Sequence, residues 1–497
     1  MCRSAFLGDK TAVYDYDLKR SYSFKEIDER SDRIAACLTQ VFHICKGDRI
    51  GICSLNRVEF FDLFFACYKT GIILTTYNGK LMDWELEQLV RNETPKLIFA
   101  DSTYAAKIRD IQSRDGMAFE TFDLDGEDGG IGRMLSCDAA FTPYEPDMED
   151  ILMLIHTGGT TGLPKAAMIS YRAIVFNSIS TILSHELNSS DVTYLMLPLF
   201  HTAAWNSISL GVFLAGGKII LKKKFDVGET YDIIQHERPS FLLAVPTIYV
   251  RLAEDPRFET TDFSCIKSLR CGAAPLPMAL FETYDRKKLP LCNSYGLTEC
   301  GPSNFSFPMR LTSQETLRRK AGFVGRPYHF NKVRIVDEQG LPVSPNTPGD
   351  LEFSGPLTFS GYWNNEEESR NARDGEWVRT GDIAIYDEDG FYKIIGRRKN
   401  MFISGGENIF PIEIENILMA MDEVEDCGVI GVEDPRWGEV GKAFIRLKEG
   451  AEITEEEIRA RCRKMLPTIK IPKYIVFVKE LPRNGVGKLM YARLHEM

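Results

Sequence analysis

Short apolar runs alternate with longer amphipathic segments over the first two-thirds of the chain. The runs are Arg49–Cys53, Lys96–Ala100, Tyr194–Leu197, Lys218–Leu221 and Phe241–Val245. Their length and their polar boundaries predict buried strands, whereas Val58–Lys69 has the helical period. Strands that alternate with helices form parallel sheets covered on both faces. The pattern therefore predicts an α/β fold.

The rest of the chain has a different pattern of apolar and polar residues. Asp115–Asp150 is polar and glycine-rich, which predicts a surface loop, and after Gly325 short strands and turns predict a small β-rich subdomain. A compact block follows, with predicted elements at Ile412–Met421, Cys427–Val432, Ala443–Leu447, Thr454–Met465 and Tyr474–Val478. This block is long enough for a separate α+β domain. We predict domains over residues 1–398 and 399–497, with a hinge near Lys399 in a charged linker.

Length and composition narrow the classes of protein. The chain has 497 residues, beyond the roughly 250–300 at which a single core stops growing. Its net charge of −11 argues against a nucleic-acid binder, which needs a basic face. The 12 scattered cysteines contain no CxxC pair and indicate reduced thiols. The N-terminus lacks the apolar core of a signal peptide, and no uncharged apolar run approaches the roughly 20 residues of a transmembrane helix, so we expect a cytoplasmic protein.

A loop rich in glycine and threonine follows the apolar run Ile151–Ile155. Its candidate phosphate-binding residues are Thr157, Gly158, Gly159, Thr160, Thr161, Gly162 and Lys165. Glycines allow the backbone to approach a polyanion and present N–H groups to it. The Walker A spacing is absent, because no lysine directly follows a glycine at the required position. The loop by itself predicts polyphosphate binding and no particular reaction.

Four segments further along the chain also carry candidate chemistry. They are Asn293–Glu299, Arg379–Asp382 with Arg397, Ser404–Asn408 and Pro482–Lys488. A tyrosine can stack on a purine, a glutamate can hold Mg²⁺, and an aspartate can accept from ribose hydroxyls. Each segment alone is more often a solvated turn.

Together, in order and spacing, the five segments resemble the adenylate-forming superfamily. This superfamily includes acyl- and aryl-CoA synthetases, adenylation domains of nonribosomal peptide synthetases, and firefly luciferase. The resemblance runs from about Tyr22 to Arg493. It implies a large N-terminal domain of two stacked α/β sheets plus a β-barrel-like subdomain, followed by a small mobile α+β C-terminal domain.

The resemblance also implies roles for single residues. The 157–165 loop would hold the β- and γ-phosphates of ATP, Thr298 the α-phosphate and Glu299 the Mg²⁺ ion. The adenine would lie against Gly272, Ala273, Ala274, Asn293, Ser294 and Tyr295. Asp382 would bind the ribose with Arg397 nearby, and Lys488 would be the lysine of adenylation. Where the family has a serine, this loop has Gly158, and Ala166 stands where many members have glycine; we expect both departures to be mild.

The implied reaction forms an acyl adenylate from a carboxylic acid and ATP, and then a thioester of coenzyme A. His201 would lie beside the substrate carboxylate. After domain rotation, the Ser404–Asn408 loop with Gly405 and Gly406 would form the pantetheine tunnel. Trp437 and a basic run are further candidates for CoA contacts: Arg461, Arg463, Lys464, Lys470 and Lys473.

The acid and the acceptor are less sharply defined. The expected pocket has small or apolar residues after His201, along Leu243–Pro246, near Gly272 and at Cys300–Pro302, which favours an apolar acid. Trp205 resembles a tryptophan at the acyl tunnel of some long-chain synthetases, and packing in the core is the alternative for this residue. A fatty acid is the first choice and an aryl or alicyclic acid the second. No carrier or condensation domain accompanies these segments, which favours a free-standing CoA ligase over a peptide-synthetase module. A free-standing adenylation enzyme that loads a separate carrier protein is the alternative. A non-catalytic adenylate binder, a luciferase-like oxygenase and a homodimer all stay open.

Overall fold

The computed structural model describes residues 6–127, 129–158, 163–308, 312–483 and 489–497. The strands of the first half are β1 (Thr11–Asp15), β2 (Arg20–Ser23), β3 (Arg49–Cys53), β4 (Ile73–Thr76), β5 (Leu97–Ala100), β6 (Glu120–Asp123), β7 (Ile151–Thr157), β8 (Lys165–Ser170), β9 (Val192–Leu195), β10 (Lys218–Leu221) and β11 (Phe241–Ala244). The later strands are β12 (Ser268–Cys271), β13 (Leu291–Asn293), β14 (Phe305–Ser306), β15 (Arg326–Pro327), β16 (Lys332–Val336), β17 (Gly349–Ser354), β18 (Arg373–Asp374), β19 (Trp377–Tyr386), β20 (Tyr392–Arg397), β21 (Phe402–Ser404), β22 (Glu407–Ile409), β23 (Val424–Asp434), β24 (Gly438–Leu447) and β25 (Tyr474–Phe477).

Helices connect most of these strands. They are α1 (Phe24–Ala36), α2 (Glu59–Thr70), α3 (Asp83–Glu93), α4 (Ala105–Gln112), α5 (Ile131–Leu135), α6 (Tyr171–His185), α7 (Thr202–Ala204), α8 (Leu210–Ala215), α9 (Val227–Glu237), α10 (Pro246–Glu254), α11 (Arg257–Thr260), α12 (Met278–Arg286), α13 (Gln314–Arg319), α14 (Glu366–Asn371), α15 (Pro411–Met419), α16 (Glu455–Met465) and α17 (Tyr491–Leu494). Side chains cap several of them; Ser170, for example, accepts from the Ala173 amide at the start of α6.

Two mostly parallel sheets form the large part of the molecule. One has the strand order β13-β12-β11-β9-β10-β1-β2 and the other β6-β5-β3-β4-β7-β8. Only the edge pairs β1–β2 and β7–β8 are antiparallel. A single hydrophobic cluster contains residues of both sheets, such as Ile50, Phe99, Ile219 and Leu221, and of the buried helix α2. The two sheets therefore stack on a shared core, as the resemblance implied.

Antiparallel strands follow the two stacked sheets. β16, β17, β19 and β18 form one sheet, to which β20 adds by pairing with β19. The last strands, β21 to β25, form a separate sheet, and the buried members of its two hydrophobic clusters lie between Phe402 and Leu494. This separate core confirms a C-terminal α+β unit. The exact boundary at Lys399 stays a prediction.

Most predicted elements lie within a few residues of the observed ones. The prediction of a surface loop over Asp115–Asp150 was wrong in part, because β6 and α5 lie inside it. β6 is an edge strand that pairs with β5 and buries Phe122, and one buried residue in a polar strand gives little periodic signal. Among the described residues, no helix is both long enough and apolar enough to cross a membrane.

Candidate active site

The candidate phosphate loop joins two antiparallel strands. Thr157 at the end of β7 lies opposite Lys165 at the start of β8, so the hairpin brings the two ends of the loop together. Gly158 is exposed, and the predicted residues Gly159, Thr160, Thr161 and Gly162 lie outside the described part of the chain. The Lys165 ammonium forms an ion pair of 2.6 Å with Glu368 and lies 5.3 Å from the centre of the Tyr362 ring.

The residues predicted to line the adenine meet at the carboxyl ends of parallel strands. Gly272 follows β12, and Asn293 ends the neighbouring β13, where it lies opposite Cys271. The amide of Ser294 donates to the Cys271 carbonyl at 2.8 Å, and a Cβ on Gly272 would be 3.2 Å from the Ser294 hydroxyl. The two segments thus lie in contact, in a crevice position typical of ligand sites in open α/β sheets. Ala273 has a positive φ of 65°, and it and Ala274 are exposed.

Three predicted residues form a connected polar cluster. The Tyr295 hydroxyl donates to Asp382 at 2.5 Å, and the Arg397 guanidinium lies 2.9 Å from the other carboxylate oxygen. Asp382 on β19 faces Arg397 on β20 in the strand register, which explains the ion pair. Burial, and then the charge of Asp382, raises the pKa of Tyr295 well above its ordinary value. Tyr295 therefore stays a hydroxyl donor at neutral pH.

Thr298 and Glu299 lie on a single 3₁₀ turn, Thr298–Cys300. The turn is reached through Gly296, where a Cβ would lie 1.9 Å from the Pro302 carbonyl oxygen, so only glycine fits this close approach. The Tyr362 hydroxyl donates to the Glu299 carboxylate at 2.8 Å. The described residues contain no cluster of three or more His, Cys, Asp or Glu side chains suited to a metal. A lone carboxylate such as Glu299 fits Mg²⁺, which commonly takes one or two carboxylates together with substrate phosphates.

The sequence motifs did not indicate two further residues of this site. Tyr362 contacts both Lys165 and Glu299, and Glu368 pairs with Lys165. Burial, followed by the Glu299 charge, raises the pKa of Tyr362, so its hydroxyl remains a donor. Neither residue lies in one of the five segments, and no spacing pattern in the sequence indicates them. Their positions depend on an isolated bridge between Tyr362 and Ala167 of β8.

The two aromatic candidates for the acyl pocket differ in their surroundings. His201 is half-buried at the start of α7, with its ring 4.5 Å from that of Phe200. Trp205 is fully buried, and its ring packs against Phe61 at 5.1 Å and Phe64 at 5.2 Å. Trp205 is therefore part of the core between the sheets. The interpretation of Trp205 as the mouth of an acyl tunnel is not supported, because its indole is enclosed by α2.

The C-terminal candidates lie on a hairpin of the small sheet. Gly405 and Gly406 join β21 to β22 with φ values of 56° and 88°, and the Gly405 amide donates to the Trp437 carbonyl at 2.8 Å. A Cβ on Gly405 would be 2.9 Å from the Trp437 ring, whose residue is 42% exposed. Lys488 lies outside the described residues. Four members of the basic run are ion-paired to carboxylates of their own domain, which weakens their case as CoA ligands: Arg461, Arg463, Lys470 and Lys473.

The predicted hinge lies on the 3₁₀ turn Arg398–Asn400, which directly follows β20. Arg398 anchors the turn through an ion pair of 2.6 Å with Asp350. Partial burial, and then the positive charge of Arg397, lowers the pKa of Lys399 to about 8. Lys399 is thus the position on the turn where charge changes close to neutral pH.

Comparisons with known proteins agree with this geometry. Residues 3–363 match the AMP-binding enzyme family, and residues 413–488 match the AMP-binding enzyme C-terminal domain. A feruloyl-CoA synthase of Amycolatopsis is 32% identical over 473 residues, covering 94% of this chain and 92% of that protein. A long-chain-fatty-acid–CoA ligase of Mycobacterium tuberculosis is 30% identical over 481 residues, covering 97% and 93%. The solved structure of o-succinylbenzoate coenzyme A synthetase from Bacillus subtilis, in complex with ATP and magnesium ion, has a TM-score of 0.88 at 26% identity and covers 100% of this chain and 98% of that one. The chain therefore belongs to the AMP-binding enzyme family of adenylate-forming proteins and is an AMP-forming acid–thiol ligase.

Proposed function

We propose that this enzyme joins an apolar carboxylic acid to coenzyme A at the expense of ATP, through an acyl adenylate. The observation that carries the proposal is the position of Tyr362 between Lys165 and Glu299. Lys165 belongs to the candidate phosphate hairpin, and Glu299 is the candidate ligand of Mg²⁺. Tyr362 thus connects a candidate phosphate-binding lysine with a candidate Mg²⁺ ligand, and an adenylation site needs both at the triphosphate.

The residues of the site have separate tasks in this proposal. Asp382 accepts from the ribose hydroxyls, Tyr295 and Asn293 border the adenine, and Thr298 donates to the α-phosphate. Lys165 and the backbone of the 157–165 loop bind the outer phosphates, and Glu299 would hold Mg²⁺, which supplies charge compensation at the phosphate oxygens. Lys488 would place a second positive charge beside the same phosphate oxygens.

The proposed chemistry has two balanced steps. A carboxylate oxygen of the acid attacks the α-phosphorus of ATP, and the bond to pyrophosphate breaks. The thiolate of CoA then attacks the acyl carbonyl carbon, and the bond to AMP breaks. The chain supplies positioning and charge stabilisation in both steps and no side-chain nucleophile.

An aromatic acid is favoured over a fatty acid as the substrate. The signal for a fatty acid came from Trp205, which lies in the core. On the turn after His201, Asn206 is buried and its side-chain oxygen has no hydrogen-bond partner among the described residues, although its amide donates to Thr202 at 3.0 Å. In this proposal a hydroxyl group of an aromatic acid would donate to the Asn206 oxygen, which a long alkyl chain cannot do. The feruloyl-CoA synthase relative supports the same choice.

The test is pyrophosphate release over a panel of acids, with and without CoA. The panel contains hydroxylated and unsubstituted aromatic acids and medium- and long-chain fatty acids. We expect CoA-dependent turnover with hydroxylated aromatic acids and weaker turnover with fatty acids. A preference for long-chain acids would reverse the proposed order of substrates. Pyrophosphate release that does not depend on CoA would favour a carrier protein as the acceptor. If no acid supports pyrophosphate release or ATP–pyrophosphate exchange, only an adenylate-binding protein remains.

The proposed domain rotation separates the two half-reactions. Lys488→Ala is expected to abolish adenylation and to spare thioester formation from supplied acyl adenylate. Gly406→Leu is expected to do the reverse, because its side chain would occupy the predicted pantetheine tunnel. The φ of 88° disfavours any side chain at this position, so an unchanged melting temperature must accompany the result. Equal loss of both half-reactions in either variant would argue against two separate conformations.

A further inference from the structure

A buried acid–base pair lies directly below the candidate phosphate loop. His156 is the residue before Thr157, and its side chain is 7% exposed. Its Nε2 is 2.5 Å from Oε1 of Glu93, the last residue of α3, whose side chain is 0% exposed. Its Nδ1 is 3.1 Å from the carbonyl oxygen of Thr76. None of the five sequence segments contains this pair.

The partners of the imidazole determine its protonation. A carbonyl oxygen only accepts, so Nδ1 must carry a proton toward Thr76. The second oxygen of Glu93, Oε2, accepts from the Thr75 hydroxyl at 2.8 Å, so Oε1 is the oxygen that faces Nε2. With Oε1 as an acceptor, Nε2 donates as well, which is the pattern of an imidazolium. Burial alone would lower the pKa of His156, but the Glu93 charge and the hydrogen bonds raise it above its ordinary value.

Tyr77 and Arg49 are ionisable neighbours of the pair. The Tyr77 ring stacks on the imidazole with ring centres 5.4 Å apart, and burial, followed by the charge of Glu93, raises the pKa of its hydroxyl well above the ordinary value. Arg49 of β3 donates to the backbone carbonyl of Glu93 at 2.7 Å. On the β8 side, His156 lies opposite Ala166, which is buried and uncharged. Glu93 is therefore the group that sets the charge of His156.

The strand register shows what the pair does for the loop. β7 runs beside β4 through Leu154 and Ile155, and the last paired position is Ile155 opposite Thr76. His156 extends beyond this ladder, and its side chain returns to the carbonyl of Thr76. The side-chain hydrogen bonds to Thr76 and Glu93 thus hold the end of β7 in place. They do so where its backbone pairing with β4 ends, one residue before the loop.

We propose that Glu93 holds His156 as an imidazolium and that this buried pair is the positioning device that fixes the root of the 157–165 loop for ATP. The positioning role rests on the proposed function, because it assumes that the loop binds the phosphates of ATP. His156 acts through the loop and touches no reacting atom.

The charge state is tested by histidine NMR of the wild-type chain, with His156 assigned as the signal lost in His156→Phe. We expect the pKa of His156 to lie above its ordinary value in the wild type and to fall in Glu93→Gln, since the amide can donate to a neutral Nε2 but cannot balance a buried cation. A wild-type His156 that titrates at or below its ordinary value would overturn the proposal. This measurement does not depend on any enzymatic activity.

The positioning role is tested by ATP affinity in equilibrium binding. His156→Phe keeps a ring against Tyr77 and loses both hydrogen bonds, so we expect the Kd for ATP to rise about tenfold. Glu93→Gln keeps a hydrogen-bonding side chain beside Nε2, so we expect its Kd for ATP at pH 8 to stay within about threefold of the wild type. The control is His236→Phe, at an exposed position on α9 where the ring bonds only to the Asp232 carbonyl, and it should match the wild type. Unchanged ATP affinity in folded His156→Phe would refute the role, as would a loss of melting temperature without any change in Kd. A wild-type chain that does not bind ATP would reject the proposed function and the positioning role together, while the NMR titration would still decide the charge of His156.

Discussion

The hydroxyl of Tyr362 donates a hydrogen bond of 2.8 Å to the carboxylate of Glu299, across 63 residues of sequence. This bond fixes one oxygen of the candidate metal ligand and leaves the other available. The same tyrosine ring lies beside the Lys165 ammonium. Tyr362 therefore sets the relative positions of a cation and an anion that are both expected to act on the triphosphate of ATP.

Tyr362→Phe should weaken the use of Mg–ATP. A hydrogen bond to a charged group contributes about 1.5–3 kcal/mol, and partial exposure reduces this, so we expect a rise of about tenfold in KM for Mg–ATP. The measurement is ATP–pyrophosphate exchange at varied Mg²⁺. Tyr386→Phe is the matched control, because its hydroxyl donates to the Val343 carbonyl in the β-rich subdomain. An unchanged Mg²⁺ requirement in Tyr362→Phe would show that Glu299 needs no such support.

Asp382→Asn should remove the discrimination between ribose and deoxyribose. Asp382 is 4% exposed and lies between Tyr295 and Arg397, so its free lone pairs are the natural acceptors for ribose hydroxyls. We expect the wild type to bind ATP at least tenfold more tightly than 3′-deoxy-ATP, and the variant to bind both nucleotides similarly and weakly. If the variant keeps the full preference for ATP, the ribose lies elsewhere.

Gly296→Ala should disrupt the turn that carries Thr298 and Glu299. The added Cβ would lie 1.9 Å from the Pro302 carbonyl oxygen, a clash that only backbone movement can relieve. We expect a loss of about 3 kcal/mol or more in the free energy of unfolding, or loss of ATP binding if the turn shifts instead. Gly132→Ala is the control, since a Cβ there meets nothing within 4 Å and alanine favours its helix α5. Wild-type stability and ATP affinity in Gly296→Ala would contradict the close approach.

Lys399 should be unusually reactive toward amine reagents. Its pKa of about 8 follows from partial burial and from the charge of Arg397. At pH 8, Lys399 therefore carries the neutral amine in about half of the molecules. The reactive fraction should fall as the pH drops below 8, because the protonated form then dominates. Mass spectrometry after brief acetylation at pH 8 gives the rate for each lysine. Lys473 is the internal control, since hydrogen bonding to Asp434 raises its pKa. Equal labelling of the two lysines would exclude a lowered pKa at the hinge.

Much of the fold could be predicted from local sequence patterns. The strand at Arg49–Cys53 and the helix predicted at Val58–Lys69 agree with β3 and α2 to within a residue, because burial on both faces leaves continuous or periodic apolar runs. β6 was missed because a polar edge strand lacks such a run. Trp205 stayed open between a pocket and the core, because a tryptophan after His201 has the same sequence signature in both places, and its complete burial decides for the core.

The candidate site divides in the same way. The sequence by itself predicted the candidate phosphate loop, whose glycines, threonines and lysine lie within nine residues after an apolar strand, and it placed Tyr295, Glu299 and Asp382 among the candidates. Only the tertiary structure joined Tyr295 to Asp382 across 87 residues, and only it revealed Tyr362 beside Glu299 and Glu93 beside His156, each across 63 residues. The physical reason is that turns and amphipathic periods depend on neighbours in the chain, whereas these side-chain contacts depend on strand register and on the packing of helices against sheets, which local sequence does not encode.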